Sequence, residues 1–362
     1  MTDGAPFNHN RLLLARARRG VTQIALSEAV GISIRSIKGY EAGDNAPPTE
    51  TVAAIAQFLQ FPVSFFCSPD IEAINIDSAS FRSLSRASAR VLNSAVASGT
   101  FAVELLYPFI QSRFELPPVN LPEFRDDTPH AAAEALRHHW GLGQRPIQHM
   151  IRLLEVHGVR VFSLSEDCET IDAFSLWRDG IPFVFLNNRK TAERSIFDAA
   201  HELGHLVLHR HGYPQGQSAE SAADKFASCF MMPEAAIRAD APALQTVAAI
   251  ASMKNKWRAS TAALGRRLYD LGIMNKYTYT RFNKELSHRG KQNEPMPLQR
   301  QTSAILQQAL TVLADEGTTI VDIAAALHLP VSEVRALTFS LQAIAGSGGL
   351  GAHKKTDLRL VQ

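Results

Sequence analysis

Apolar residues along the first part of the chain recur at helical spacing, and the breaks between runs are marked by glycine. Leu12, Leu13 and Ala15 define a first short helix, and Gln23-Ile24-Ala25-Leu26 falls in a second after Gly20. Gly31-Ile32 interrupts the pattern before Ile34-Arg35-Ser36-Ile37, and Thr49 or Thr51 can cap a further helix through Leu59. Helical periodicity returns near 89–114 and again over 131–157, in AAAEALRHHWGL and PIQHMIRLLEVHG. Between them, LPPVNLPEFRDDTP is polar, interrupted by prolines, and reads as a linker. Residues 159–164 and 181–186 read as strands around an Asp179-Gly180 turn. A helix over 191–210 follows, with more helices to about 271 and a last helical segment over 295–344. The pattern predicts a mostly α fold with a small β-sheet, class α+β. It ends at a GSGG tract, after which the tail is expected to be mobile.

A chain of 362 residues exceeds what one hydrophobic core normally serves, roughly 250 to 300 residues. We divide it into residues 1–68, a helical domain; 69–130, a helical connector and linker; 131–290, a domain built around the 191–210 helix; and 291–362, a helical C-terminal region. Lys and Arg number 37 against 35 Asp and Glu, so any affinity for nucleic acid must come from a local patch. The three cysteines, Cys67, Cys168 and Cys229, lie far apart without CxxC spacing, which excludes a disulfide framework or thiolate metal site and fits a reducing compartment. No stretch reads as a signal peptide or membrane span, so the expected location is the cytoplasm and no membrane partner is expected.

The densest chemistry is in SIFDAAHELGHLVLH, which contains His201-Glu202-x-x-His205. Residues four apart share a helix face, so both imidazoles can reach one tetrahedral zinc. Glu202 would flank the open coordination position and act as general base toward water there. A bare HExxH arises by accident, but Ala199, Ala200, Leu203, Leu206, Val207 and Leu208 predict a helix buried on most sides. Polar groups buried there need partners, and a metal supplies them.

Two residues compete for the third ligand. His211 falls where an HExxHxxGxxH pattern would place its last histidine, but Leu208 occupies the required glycine position. Glu220 is favoured, because it and Asp224 lie one turn apart in ESAADKFASCFMMP. That pair can supply one carboxylate to the metal and another to orient a ligating imidazole. A solvent-facing Glu220 is the alternative. His209 lies about 12 Å along the axis from His201, too far to share the ion, and reads as structural or substrate-lining. The run Phe183-Val184-Phe185-Leu186-Asn187 is either a buried strand or one that pairs with an extended peptide.

In VTQIALSEAVGISIRSIKGYEAG, two short helices flank Val30-Gly31-Ile32, the spacing of a helix-turn-helix. Ser33, Arg35 and Ser36 begin the second helix, which would meet base edges, while Gln23 and Lys38, with Arg16, Arg18 or Arg19, suit phosphates. A helix-turn-helix used only for protein contacts is the rival, given Glu28, Glu41 and Asp44 nearby.

Together, RGVTQIALSEAVGIS, YEAGDNAPP, SFRSLSRAS, ALRHHWGLGQRPI, IDAFSLWRDG, AAHELGHLVLH and ESAADKFASCFMMP resemble the ImmA/IrrE family of metallopeptidases joined to an XRE-type helix-turn-helix. The resemblance covers most of the chain. It implies a five-helix lambda-repressor-like domain followed by a gluzincin-like domain in which His201, His205 and Glu220 bind Zn2+, with Mn2+ as an alternative ion, and Glu202 is the base. It also implies a protein substrate, an XRE-type repressor whose cleavage switches on stress or mobile-element genes. Gly39 departs from the pattern, standing in the recognition helix where relatives carry a larger polar residue. KNKWRASTAALGRRLYDLGIM reads as helical scaffold, and TTIVDIAAALHLPVSEVRALT, which lacks basic residues for reading DNA, as a packing or homodimerisation element. The rival from a different class is a transcription regulator or antitoxin-like protein whose second domain is a sensor or dimerisation module.

Overall fold

The computed structural model describes residues 6–75, 80–81, 88–164, 168, 170–210, 216–288, 296–342 and 359–360. Residues 82–87 of SFRSLSRAS, His211 and the GSGG tract lie outside the described residues.

Four helices open the chain: α1 (His9–Arg19), α2 (Gln23–Val30), α3 (Ile34–Ala42) and α4 (Thr49–Leu59). A 3₁₀ turn at Val63–Cys67 stands where a fifth helix is expected. Three of the four starts have a local cause: Asn8, Thr22 and Ser33 accept backbone N–H groups of the first turns of α1, α2 and α3, whereas α4 begins at Thr49 after Pro48 with no side-chain cap, so neither Thr49 nor Thr51 caps it. Gly31 takes φ +74 between α2 and α3, a left-handed conformation costly for residues with a Cβ, and this turns the chain between the two helices. Leu12, Leu26, Ile37, Ile55 and Leu59 are fully buried at the centre of this module.

The connector carries α5 (Ala89–Phe101), a π turn (Ala102–Leu106) and α6 (Tyr107–Gln111). The proline-rich stretch after it is not a free linker, because Asn120 N donates to His157 O at 3.0 Å and Phe124 N to Val207 O at 2.8 Å. Then come α7 (Pro129–His139) and α8 (Met150–Val156).

Six strands occur among the described residues: β1 (Ser80–Phe81), β2 (Phe114–Glu115), β3 (Arg160–Leu164), β4 (Ala173–Arg178), β5 (Ile181–Asn187) and β6 (Arg359–Leu360). The main sheet runs β1-β4-β5-β3, and β2 pairs with β6 separately. The Asp179-Gly180 turn joins β4 to β5, with positive φ at both residues, as two-residue hairpins require. The strand before that turn is therefore β4, not 159–164; β3 lies on the far side of β5 and runs parallel to it. Strand β5 is central, paired on both sides, so the alternative in which it captures an extended peptide is excluded. β4 shows no alternation because Ala173, Phe174, Ser175 and Leu176 are all buried, the pattern of a strand covered on both faces.

Beyond the sheet lie α9 (Ala192–Leu208), α10 (Gln217–Met231), α11 (Glu234–Asp240), α12 (Val247–Ala251), α13 (Lys254–Trp257), α14 (Thr261–Asp270), α15 (Lys276–His288), α16 (Ala304–Asp315), α17 (Ile320–Ala326) and α18 (Val331–Leu337). Helix α9 packs on β4 and β5 and against α10. The KNKW segment holds the start of α9: Lys254 Nζ, fully buried, is 2.9 Å from Glu193 Oε1, which also accepts Leu298 N at 2.9 Å.

Helix α18 contacts both the sheet and the N-terminal module. Ser163 of β3 donates to Ala336 O and accepts Phe339 N at 2.8 Å, which fixes α18 to the sheet. At its first turn Glu333 pairs with Arg18 of α1, Nε to Oε2 at 2.8 Å, and with Arg19. The TTIVDIAAALHLPVSEVRALT segment thus packs the N-terminal module against the sheet domain within one chain.

Candidate metal centre

Helix α9 is capped by Thr191 and ends at His209. All residues from Ile196 to Leu208 except Phe197 are buried in it, including His201, Glu202 and His205. Helix α10 crosses close by, because Gly204 carries no side chain. A Cβ there would meet Phe226 Cδ1 at 3.0 Å and Ala223 Cα at 3.2 Å. Two arginines fix the far end of α10. Arg137 donates to Phe230 O and to Gly143 O at 2.8 Å, and Arg267 Nε donates to Met232 O at 2.9 Å.

This packing brings Glu220 of α10 to the two imidazoles of α9. His201 Nε2 and His205 Nε2 are 3.1 Å apart, and the two oxygens of Glu220 face one imidazole each, Oε2 at 3.3 Å from His201 Nε2 and Oε1 at 3.3 Å from His205 Nε2. A tetrahedral zinc with bonds of about 2.0 to 2.1 Å needs ligand atoms roughly 3.3 Å apart, and each of these nitrogen–nitrogen and nitrogen–oxygen separations is close to that. Among the described residues, these three form the one group of His, Cys, Asp or Glu side chains with metal-binding spacing. His201 turns its other nitrogen to Asp224, Nδ1 to Oδ1 at 2.8 Å, which leaves Nε2 directed at the shared centre.

Electrostatics agree with this arrangement. Burial alone would raise the Glu220 carboxyl, but hydrogen bonds from His201 and His205 outweigh it and hold the pKa at about 2. Burial lowers His205, against the pull of Glu220. A neutral imidazole and an ionised carboxylate are the forms that bind a divalent cation.

Glu202 is fully buried. Burial pushes its carboxyl up to about 8, against the His201 charge and a hydrogen bond from Ser175. Ser175 Oγ of β4 donates to Glu202 Oε2 at 2.7 Å, whereas Glu202 Oε1 is buried with no hydrogen-bond partner among the described residues. An orphaned carboxylate oxygen is costly unless something binds there, and beside an open coordination position it suits a water molecule. Sequence reasoning did not single out Ser175; its signal was a lone hydroxyl in the apolar run Ala173-Phe174-Ser175-Leu176. Arg194 and Asp198 lie 3.3 Å apart, and Arg194 also contacts Asp172 at 2.7 Å.

The candidate DNA face is distributed less simply. Arg35 and Lys38 are exposed on α3, with Ser33 and Ser36 linked Oγ to Oγ at 2.9 Å at its start. With Gly39, Asp44 and Asn45 they line a concave surface. Gln23 instead donates to Glu41 Oε2 at 2.6 Å. Arg16, Arg18 and Arg19 turn inward to Glu41 and Glu333, and Arg18 is only 3% exposed, so these three do not form a phosphate-facing row.

The fold and this cluster define a class: a helix-turn-helix module joined to a domain with a candidate metal centre. Residues 12–66 match the helix-turn-helix family model, and residues 154–269 match the IrrE N-terminal-like domain of a peptidase family. The chain therefore carries an XRE-type helix-turn-helix domain followed by an IrrE-like domain. Curated relatives include an uncharacterised HTH-type transcriptional regulator of Sinorhizobium medicae and another of Rhizobium meliloti. Each is 39% identical over 57 residues, 16% of this chain, and the match spans 41% of each relative's length. No helix among the described residues is long and apolar enough to cross a membrane.

Proposed function

We propose that the chain is a cytoplasmic zinc-dependent endopeptidase whose N-terminal domain brings it to DNA, and that it cleaves an XRE-type repressor to derepress genes under stress or mobile-element control. The observation that carries this reading is the cluster of His201 Nε2, His205 Nε2 and the Glu220 carboxylate, with the nitrogens 3.1 Å apart and each 3.3 Å from a different Glu220 oxygen, beside the half-paired Glu202 carboxyl group.

His201, His205 and Glu220 would hold the ion, and Asp224 would orient His201. Zinc bound there supplies a Lewis acid that polarises the scissile carbonyl and acidifies water. Ser175 fixes one oxygen of Glu202 and, in the ionised form that a cation bound beside it would favour, leaves the other to accept a proton from the attacking water. Glu202 then returns that proton to the leaving amine, as a general base that becomes a general acid. The low-dielectric surroundings of α9 strengthen each of these interactions.

A second reading is favoured by the regulators among the relatives: a DNA-binding regulator whose peptidase domain is a sensor or dimerisation module. A reporter for the controlled genes separates the two, comparing Glu202→Gln with an Arg35→Ala/Lys38→Ala double variant. The peptidase reading expects Glu202→Gln to silence the response, and a full response in that variant would favour the regulator. In either case Arg35→Ala/Lys38→Ala should weaken binding to duplex DNA at least tenfold and make it less sensitive to salt, by about one unit of logarithmic slope for each phosphate the two side chains neutralise. Unchanged DNA affinity would remove α3 from the interface.

A further inference from the structure

His209 sits one helical turn beyond His205, at the C-terminal cap of α9, where the backbone leaves helical geometry with φ −127 and ψ 32. It is not within reach of the cluster, yet its Nδ1 lies 3.1 Å from His205 Nδ1. The rings are tilted at 51° with centroids 5.2 Å apart, so they meet at their nitrogens and do not stack. We propose that His209 is a positioning residue of the metal centre, accepting the Nδ1–H of His205 and thereby keeping His205 Nε2 free and aimed at the ion. The inference rests on the metal-centre reading above and extends it to a residue outside the ligand set.

The tautomers follow from where each proton can sit. His205 Nε2 faces His201 and Glu220, so a neutral His205 that binds through Nε2 must carry its proton on Nδ1. His205 is only 4% exposed, and a buried N–H needs an acceptor. For His201 the acceptor is the Asp224 carboxylate; for His205 the atom in place is His209 Nδ1. That assigns His209 the tautomer with its proton on Nε2. It also gives the centre one anionic and one neutral outer partner. With the Glu220 and Asp224 carboxylates, a divalent cation is then neutralised; a second outer carboxylate would add surplus negative charge beside Glu202.

The test uses the full chain and zinc itself. Zinc affinity is measured by competition with a chromophoric chelator for wild type, His209→Leu and His209→Asn, alongside the melting temperature of each metal-free protein. Leucine keeps bulk without an acceptor and should weaken zinc binding roughly 10- to 100-fold. Asparagine, which offers Oδ1 near the place of Nδ1, should recover most of the loss. Leucine binding within twofold of wild type, or asparagine as weak as leucine, overturns the proposal. In the zinc-loaded wild type, nitrogen NMR should find His209 protonated on Nε2 only, and a proton on its Nδ1 also overturns it. A wild-type chain that takes up no zinc overturns the underlying metal-centre reading instead.

Discussion

Glu202→Gln is expected to leave zinc stoichiometry unchanged while reducing cleavage of the protein substrate by about two to four orders of magnitude, the range that a positioned general base contributes. The substitution conserves shape, and Gln can still accept the Ser175 hydroxyl through its carbonyl oxygen. What it loses is the second basic oxygen, the one buried without a partner. Because Glu202 is not part of the ligand cluster, metal content and melting temperature serve as internal controls. Zinc-loaded Glu202→Gln that retains more than a tenth of wild-type cleavage would exclude Glu202 as the base.

The largest expected stability effect is far from the metal. Arg18 and Glu333 are each about 2% exposed at the side chain and paired at 2.8 Å, with Ser94 Oγ accepting from Arg18 at 3.0 Å. Glu333→Ala leaves a buried guanidinium without its carboxylate, at a cost of about 3 to 5 kcal/mol. For a chain of this size that corresponds to a fall in melting temperature of roughly 4 to 7 °C. The joint Arg18→Met/Glu333→Leu change should recover much of it, since apolar groups of similar volume replace a desolvated pair at little cost. Thermal unfolding checks both. A single variant within about 1 kcal/mol of wild type would mean that α18 does not bind the N-terminal module to the sheet through this pair.

The parts of this molecule that were legible in its sequence are those governed by local rules. Helix starts at Thr22 and Ser33, the Gly31 turn and the i, i+4 histidines each follow from a few neighbouring residues, and the mostly α architecture with its small sheet follows with them. What escaped was set by distant packing. β4 has no strand alternation because both faces are covered, so its residues gave no period-two signal, and Ser175 was hidden with it. Basic residues on α1 looked suited to phosphates because nothing nearby in sequence shows Glu333, more than 300 positions away, facing Arg18. The proline-rich stretch read as a linker, since prolines and acids give no sign that its backbone is fastened at Asn120 and Phe124. Glu220 lies between these cases: its helix was legible, but its approach to His201 depends on the close crossing at Gly204.

Convergence of His201, His205 and Glu220 on one divalent ion is tested most directly by metal analysis of the purified full-length chain beside Glu220→Ala. One equivalent of zinc is expected in the wild type, and at least a hundredfold weaker binding in the variant, with the metal-free proteins folded alike. A wild-type chain without bound metal, or a Glu220→Ala chain that holds zinc as tightly as the wild type, would contradict it.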